Sequence, residues 1–281
     1  MSPPTAPPRV SVVTTVLNAD PGYFGAAVRS VQAQTHRDFE WVVAENPPYG
    51  CVAEVLAAAA DPRIRHVHIE GKISLAAARN QAIGHARGDL LAILDADDEC
   101  APTRLATQVA RFEADERLAV LGGTLEVVDA TGQRLGFRNY PRAHAEIVAA
   151  MRRFNPVAQP AVMLRRTAFA AVGGYRDAGE GACEDYELWS RMAQQGFRFE
   201  NLDDVLLRYR IHPRANKAQR LRATLRDTLR VKHEFWRPQF TLADHLRALG
   251  EQLLLRLPPG LVTSLFLRST LQRRPRDAGP L

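Results

Sequence analysis

A chain of 281 residues with 46% hydrophobic and 24% charged positions is long enough to bury one large α/β core or two small ones, and its ordinary composition excludes a fibrous or intrinsically disordered polymer. The net charge of +6 is unevenly placed: from Arg208 onward 16 Lys and Arg stand against 5 Asp and Glu, so the basicity belongs to the C-terminal segment and the rest is net acidic. Cys51, Cys100 and Cys183 are odd in number, widely spaced and in no CxxC or zinc-ligand arrangement, which argues against a disulfide framework and fits a reducing cytoplasm.

The opening MSPPTAPPRV has neither the positive start nor the apolar run of a secretory signal, and residues 1–8 read as a disordered lead. VSVVTTVL, residues 10–17, is a short β-branched run and reads as a buried strand; after Pro21 the spacing of Phe24, Val28 and Val31 predicts a helix. The same alternation continues with strands over Phe39–Ala44, Ile64–Ile69 and Leu90–Leu94 and helices over Val52–Ala60 and Leu75–Ala86. Strands alternating with helices need crossover connections, hence a mostly parallel sheet covered on both faces.

Beyond Pro102, Leu105, Val109 and Phe112 mark another helical stripe. Leu118–Leu121 and Glu126–Arg134 read as strands or a hairpin with a turn at Ala130-Thr-Gly. A helix over Ala143–Arg153, a strand over Ala161–Arg165, a helix over Glu184–Gln195 and a strand over Val205–Ile211 follow. From about Lys217 the chain turns helical, with one stripe at Leu221, Leu225 and Leu229 and a second at Leu242, Leu246, Leu249, Leu253 and Leu257. The apolar stretches Leu253–Leu257 and Leu261–Leu267, broken by Arg256, Pro258 and Pro259, fall short of the ~18 residues of a membrane-spanning helix. This organisation implies an α/β domain over 9–215 and a helical, basic extension over 216–281.

Two segments carry chemistry. In LLAILDADDEC, residues 90–100, an apolar strand empties into Asp95, Asp97 and Asp98, at the carboxyl edge where open α/β sheets bind ligands. Clustered acids repel unless a cation or hydrogen bonds neutralise them, and a divalent metal completed by substrate phosphates is the natural counter-ion; a helix cap before Pro102 needs only one acid. In GEGACEDYELWSRM, residues 179–192, Glu184 and Asp185 follow a Gly-rich loop at the first turn of an amphipathic helix, where a carboxylate is well placed to accept a proton. Alone, that pair reads equally well as N-terminal helix acids.

Together these segments resemble the family 2 inverting glycosyltransferases, with their GT-A fold: a Rossmann-like, mostly parallel central sheet with helices on both faces. The resemblance runs from about Arg9 to His212. It is carried by VSVVTTVLN (10–18), SVQAQTHRDFEWVV (30–43), LAAARNQAIGHARGDLLAILDADD (75–98), NPVAQPAVMLRRTAFAAVGGY (155–175) and CEDYELWSRM (183–192), five blocks in the family's order. It implies an inverting transfer of sugar from a nucleotide-diphosphate donor, a UDP- or dTDP-sugar, to an acceptor hydroxyl, with Mg²⁺ or Mn²⁺ as cofactor.

By the same resemblance Thr15, Glu45 and Asn46 lie against the nucleotide base, and Arg79 and Asn80 near its sugar and phosphates. Asp97 and Asp98 form the Asp-X-Asp type motif that meets ribose and metal, with Asp95 just ahead. Asp185 is the general base with Glu184 beside it, and His212 approaches the diphosphate or metal. The chain departs from the pattern at Glu45-Asn46-Pro47-Pro48, where relatives show Asp-Asp-Gly-Ser, at Gln159 in place of His and at Leu17 in place of Tyr.

The extension alternates leucines with arginines, which suits an anionic membrane surface and a lipid-linked acceptor, packing against the domain, or a homodimer seam. Its lack of interleaved aromatics beyond Phe235 and Trp236 argues against nucleic acid. The competing readings are a nucleotidyltransferase, disfavoured by the absence of an N-terminal Gly-rich phosphate loop, and a non-catalytic nucleotide-sugar-binding subunit. The expected location is cytoplasmic, peripheral at the inner face of a membrane.

Overall fold

The computed structural model describes residues 6–71, 73–179, 183–212 and 221–255. Its first half alternates as the apolar runs predict: β1 (Val10–Val16), α1 (Pro21–Gln32), β2 (Phe39–Glu45), α2 (Val52–Ala59), β3 (Ile64–His68), α3 (Leu75–Gly84) and β4 (Leu90–Ile93). Each helix start has a local cause. The Asp20 carboxylate accepts from the N–H groups of Gly22 and Tyr23 with Pro21 in the first turn, and the Ser74 hydroxyl accepts from Ala77 N–H.

The second half supplies β5 (Glu99–Cys100), α4 (Arg104–Ala114), β6 (Leu118–Val128), β7 (Arg134–Arg138), α5 (His144–Ala150), β8 (Met163–Arg165), α6 (Arg166–Ala171), α7 (Glu184–Gln194) and β9 (Arg198–Arg210). It ends, among the described residues, in α8 (Leu221–Phe235) and α9 (Leu242–Leu254).

One curled sheet joins them in the order β3-β2-β1-β4-β8-β6-β9-β5, with β7 alongside β6. β1 to β4 are mutually parallel, β8 runs antiparallel between β4 and β6, and β6 and β9 form the longest parallel ladder. Neighbouring residues on the central strands point to opposite faces. Val12, Val43 and Ala92 enter the core beneath α1 and α4, whereas Val13, Ala44 and Leu91 enter the core that also holds α3 and α7.

Three local readings are corrected. Leu118–Leu121 and Glu126–Arg134 are not separate strands: β6 runs unbroken through Gly122-Gly123, and the hairpin turn at Asp129–Gln133 encloses the expected Ala130-Thr-Gly. A methyl group at Gly122 would stand 2.2 Å from the Asn201 side chain and one at Gly123 2.5 Å from Leu206, so the glycines permit close approach of β9 rather than a turn. β9 begins at Arg198, seven residues before the alternation shows it. The strand expected over Ala161–Arg165 opens as a 3₁₀ turn, Gln159–Ala161, and β5 and α6 had no signal.

The two leucine stripes of the extension behave differently. α8 joins the core: Leu229 and Val231 are buried, and the buried Trp236 donates from Nε1 to Ser190 Oγ on α7 at 2.9 Å. On α9, Leu242, Leu246, Leu249 and Leu253 are all more than half exposed. Leu257 and the 261–267 stretch lie outside the described residues. No helix among the described residues is long and apolar enough to cross a membrane.

One buried side chain fixes where β4 stops. Arg104, fully buried at the start of α4, donates to the carbonyls of Ile93 (2.8 Å), Pro160 (2.9 Å) and Val162 (3.2 Å), and to Gln108 Oε1. Substitution by an apolar side chain of similar length removes the guanidinium donors from these buried acceptors, of which Val162 O keeps the Ile93 N–H. Arg104→Met should therefore lower unfolding free energy by about 3 kcal/mol in urea titrations, and a loss below about 1 kcal/mol would show the fork to be dispensable.

Candidate active site

β1 and β2 outrun β4, leaving a step in the sheet edge. Leu94 N–H still reaches Val13 O, and the chain then turns so that Asp98 N–H bonds Asp95 O at 3.3 Å. β5 pairs Glu99 with Arg208 and Cys100 with Leu207, which draws the end of β9 along the acids. Three carboxylates that are near neighbours in sequence thus acquire different partners.

Asp95 Oδ1 accepts from Arg79 at 3.2 Å. Asp97 Oδ2 lies 2.8 Å from His212 Nε2, and its backbone carbonyl accepts from Arg210 Nε at 3.2 Å. Asp98 is buried: Oδ1 accepts the backbone N–H of Arg210 at 2.8 Å, while Oδ2 is sealed from solvent with no partner among the described residues. Burial, reinforced by the charges of Asp97 and Asp95, pushes the Asp98 carboxyl well above the usual carboxylate range. Asp95 is raised by burial too, with Arg79 opposing.

Arg79 connects this edge to the far helix. Its guanidinium, itself buried, pairs with Asp95 and with Glu184 at the first turn of α7. Burial works against the Arg79 charge, but Glu184 and Asp95 outweigh it and hold its pKa above the ordinary value. Burial raises the Glu184 carboxyl despite Arg79, with Asp185 adding to the rise. Asp185 is oriented by Asn155, whose Nδ2 donates to Oδ2 at 2.8 Å, and by Tyr186 N–H, which donates to Oδ1 at 2.7 Å. Its charge also raises Asp95, so the helix acid acts electrostatically on the strand end.

The remaining expected residues divide. Asn80 commits its amide to Tyr175, donating to its carbonyl and accepting from its N–H, each at 2.9 Å; in this arrangement it holds a loop rather than facing open space. Tyr175 in turn sits under Arg79 and accepts from Gln159. Thr15, next to last in β1, lies beside Ala44. Glu45, buried at the end of β2, accepts from Gly50 N–H at 2.8 Å and meets His66 Nε2 at 3.0 Å, and Asn46 N–H bonds Val16 O.

Sequence reasoning missed Asn155, Tyr175, Arg210 and Tyr23. Arg210 lies over the Tyr23 ring at 4.7 Å while Tyr23 packs against His212, so the three support one another. Arg210 had a signal, its place two residues before His212; Asn155, 30 residues from Asp185, had none.

Three carboxylates and one imidazole, with one carboxylate oxygen orphaned, fit a hard divalent cation such as Mg²⁺ or Mn²⁺. Asp97, Asp98 and His212 do not close into a compact cage by themselves. Among the described residues, the one trio of acids, histidines or cysteines with donor atoms all within 4.8 Å is Glu45, His66 and His68. An open set suits an ion whose other positions belong to phosphate oxygens and water.

Comparisons with known proteins bear on the family and the fold. The model of the family described as Glycosyl transferase family 2 matches residues 11–173. EpsE of Bacillus subtilis (strain 168) is 28% identical over 243 residues, covering 85% of this chain and 86% of its own. The O-antigen biosynthesis glycosyltransferase WbnJ of Escherichia coli is 28% identical over 219 residues, covering 75% and 83%. Among solved structures, the mannosyltransferase PcManGT from Pyrobaculum calidifontis, in complex with GDP-Man and Mn²⁺, superposes with a TM-score of 0.60 at 18% identity, covering 95% of this chain and 81% of that one. S. aureus TarS 1-349 in complex with UDP gives 0.58 at 15%, covering 81% and 70%.

The buried Asp98 makes pH a test of this electrostatic picture. Its folded pKa is raised, so its contribution to stability is fully present below the unfolded value of about 3.9 and is lost as pH rises through the folded value. In chelator-treated buffer Asp98→Asn should exceed the wild type in unfolding free energy at pH 7 by on the order of 1 kcal/mol. The gap should narrow as pH falls toward 5; a wild type that is the more stable at pH 7 contradicts the assignment.

Proposed function

The chain belongs to glycosyl transferase family 2, and on that premise we propose that it moves a sugar from a UDP- or dTDP-sugar to an acceptor hydroxyl, inverting the anomeric centre, during synthesis of a polysaccharide, glycolipid or other glycoconjugate. The observation that carries the reading is the Arg79 bridge, which joins the strand-end acids to the helix bearing Asp185 across a single region. Support comes also from proteins of similar fold that were solved holding GDP-Man with Mn²⁺, or UDP.

In this reaction Asp185 removes the proton from the incoming hydroxyl. The carboxylate is already aimed by Asn155 and the Tyr186 N–H, so little reorganisation is needed when the acceptor arrives. Glu184 keeps Arg79 in place rather than meeting the acceptor, because its carboxylate is buried against the guanidinium. Asp97, Asp98 and His212 would hold the divalent cation, and Asp95 and Arg79 would border the phosphates. When bound there, the cation neutralises the charge that builds on the diphosphate oxygens. Thr15 and Asn46, at the step formed by β1 and β2, would meet the nucleobase, with Glu45, whose two oxygens face Gly50 and His66, bordering it.

The proposed division of the chain keeps a catalytic unit over 9–215 and an extension over 216–281. The exposed leucines of α9, followed by a strongly basic sequence, support contact with an anionic membrane surface and a lipid-linked acceptor.

A panel of nucleotide sugars, screened for binding and slow hydrolysis with and without Mg²⁺ or Mn²⁺, identifies the donor. Asp185→Asn should keep donor binding within a factor of about two while lowering transfer about 10²- to 10⁴-fold, measured as product formed per enzyme. Asp98→Ala should abolish the metal-dependent part of donor binding. The reverse pattern, with Asp185→Asn losing the donor and Asp98→Ala keeping it, overturns the two roles.

A further inference from the structure

Away from the three acids, β2 and β3 end side by side, and their parallel register pairs Glu45 with His68 and Val43 with His66. Residues two apart on a strand share a face, so Glu45, His66 and His68 project to the same side of the sheet. Their donor atoms all lie within 4.8 Å of one another. Glu45 Oε2 is 3.0 Å from His66 Nε2 and 3.9 Å from His68 Nε2. A tetrahedral zinc ion with bonds of ~2.0–2.1 Å sets its donors roughly 3.3 Å apart, a separation these two distances bracket.

The surroundings orient the donors. Gly50 N–H occupies Glu45 Oε1 at 2.8 Å, which turns Oε2 toward both histidines. The Tyr49 ring stacks on His68 at 4.6 Å, and its hydroxyl is anchored on Ile69 O at 2.9 Å. The two imidazoles meet edge-on at 4.6 Å. A hydrogen bond from His66 alone would satisfy the buried carboxylate, yet the half-exposed His68 directs its Nε2 at the same oxygen. His66 also borders a surface hollow of about 420 Å³ lined by Leu56 and Asp61, which gives an ion a path of entry.

We propose that Glu45, His66 and His68 form a binding site for Zn²⁺ or a similar late first-row divalent ion, with the fourth position open to water. Two imidazoles and one carboxylate are borderline donors that favour zinc, whereas the carboxylate-rich edge at Asp97 and Asp98 favours Mg²⁺ or Mn²⁺. The chain thus carries two cation sites of different chemistry on one sheet edge. This inference rests on the strand-end geometry and not on the transferase reading, and its test needs no donor or acceptor.

The full chain, free of any polyhistidine tag, reduced and stripped of metal, is titrated with Zn²⁺ against a chromophoric chelator in excess Mg²⁺. The expected result is one equivalent bound with a Kd of about a micromolar or tighter, and a melting temperature raised by zinc. His68→Gln and His66→Gln should each weaken binding at least about ten-fold and abolish the thermal shift, while His36→Gln, on a separate loop, leaves both unchanged. His68 is exposed on an edge strand, so its variant folds and decides the matter even where His66→Gln does not. Wild-type-like zinc binding by His68→Gln, or no uptake by the wild type, overturns the site.

Discussion

The structure around the sheet edge depends on one buried cation. Arg79 sits between the half-buried Asp95, 16 residues later, and the buried Glu184, 105 residues later, and without it both carboxylates would stand near Asp97, Asp98 and Asp185 without its charge to offset theirs. Taking such charges out of water costs several kcal/mol per ion, so the assembly is tolerable only with all partners present. The same condition makes it specific: α3, β4 and α7 must arrive together in one arrangement. A buried ion pair of this kind is weak evidence for stability and better evidence for a geometry that must not drift.

The rest of the scaffold supports that arrangement. Arg104 ties the last carbonyl of β4 to the 3₁₀ turn at Gln159–Ala161, which sets where the acids begin. The Gly122-Gly123 pair lets β9 lie close against β6, and β9 then brings the Arg210 N–H to Asp98 and His212 to Asp97. Asn80, next to Arg79 on α3, fastens Tyr175, whose ring lies under the guanidinium. Each link is a hydrogen bond or packing contact between segments distant in sequence, the kind of support that keeps a polar site from collapsing.

How much of this was legible in the sequence follows from the range of the forces involved. β1, β2 and β4 announce themselves because strands covered on both faces are rich in apolar and β-branched residues, as VSVVTTV and LLAI are. Asp95, Asp97 and Asp98 stood out because three acids at a strand end have no packing purpose. The first seven residues of β9, RFENLDD, were hidden because half of them face solvent, and Gly122-Gly123 imitated a break because close strand approach and turning both call for glycine. Asn155 and Tyr175 were invisible, since they matter only through contacts that tertiary folding creates. His66 and His68 carried no signal of their own until the register set Glu45 against them.

The distribution of unfavourable terms points the same way as the geometry. Asp95, Asp98 and Glu184 all have carboxyls raised mainly by burial, so the fold itself disfavours their ionised forms. A sequence shaped only by stability would relieve this with amides. Raised carboxyls recur at functional sites because a fixed, poorly solvated charge acts more strongly on what enters than one that water has already neutralised. These acids lie at the step where β4 stops short of β1 and β2 and on the helix that Arg79 ties to it, and the two apolar cores on either side of the sheet carry the stability that lets them persist.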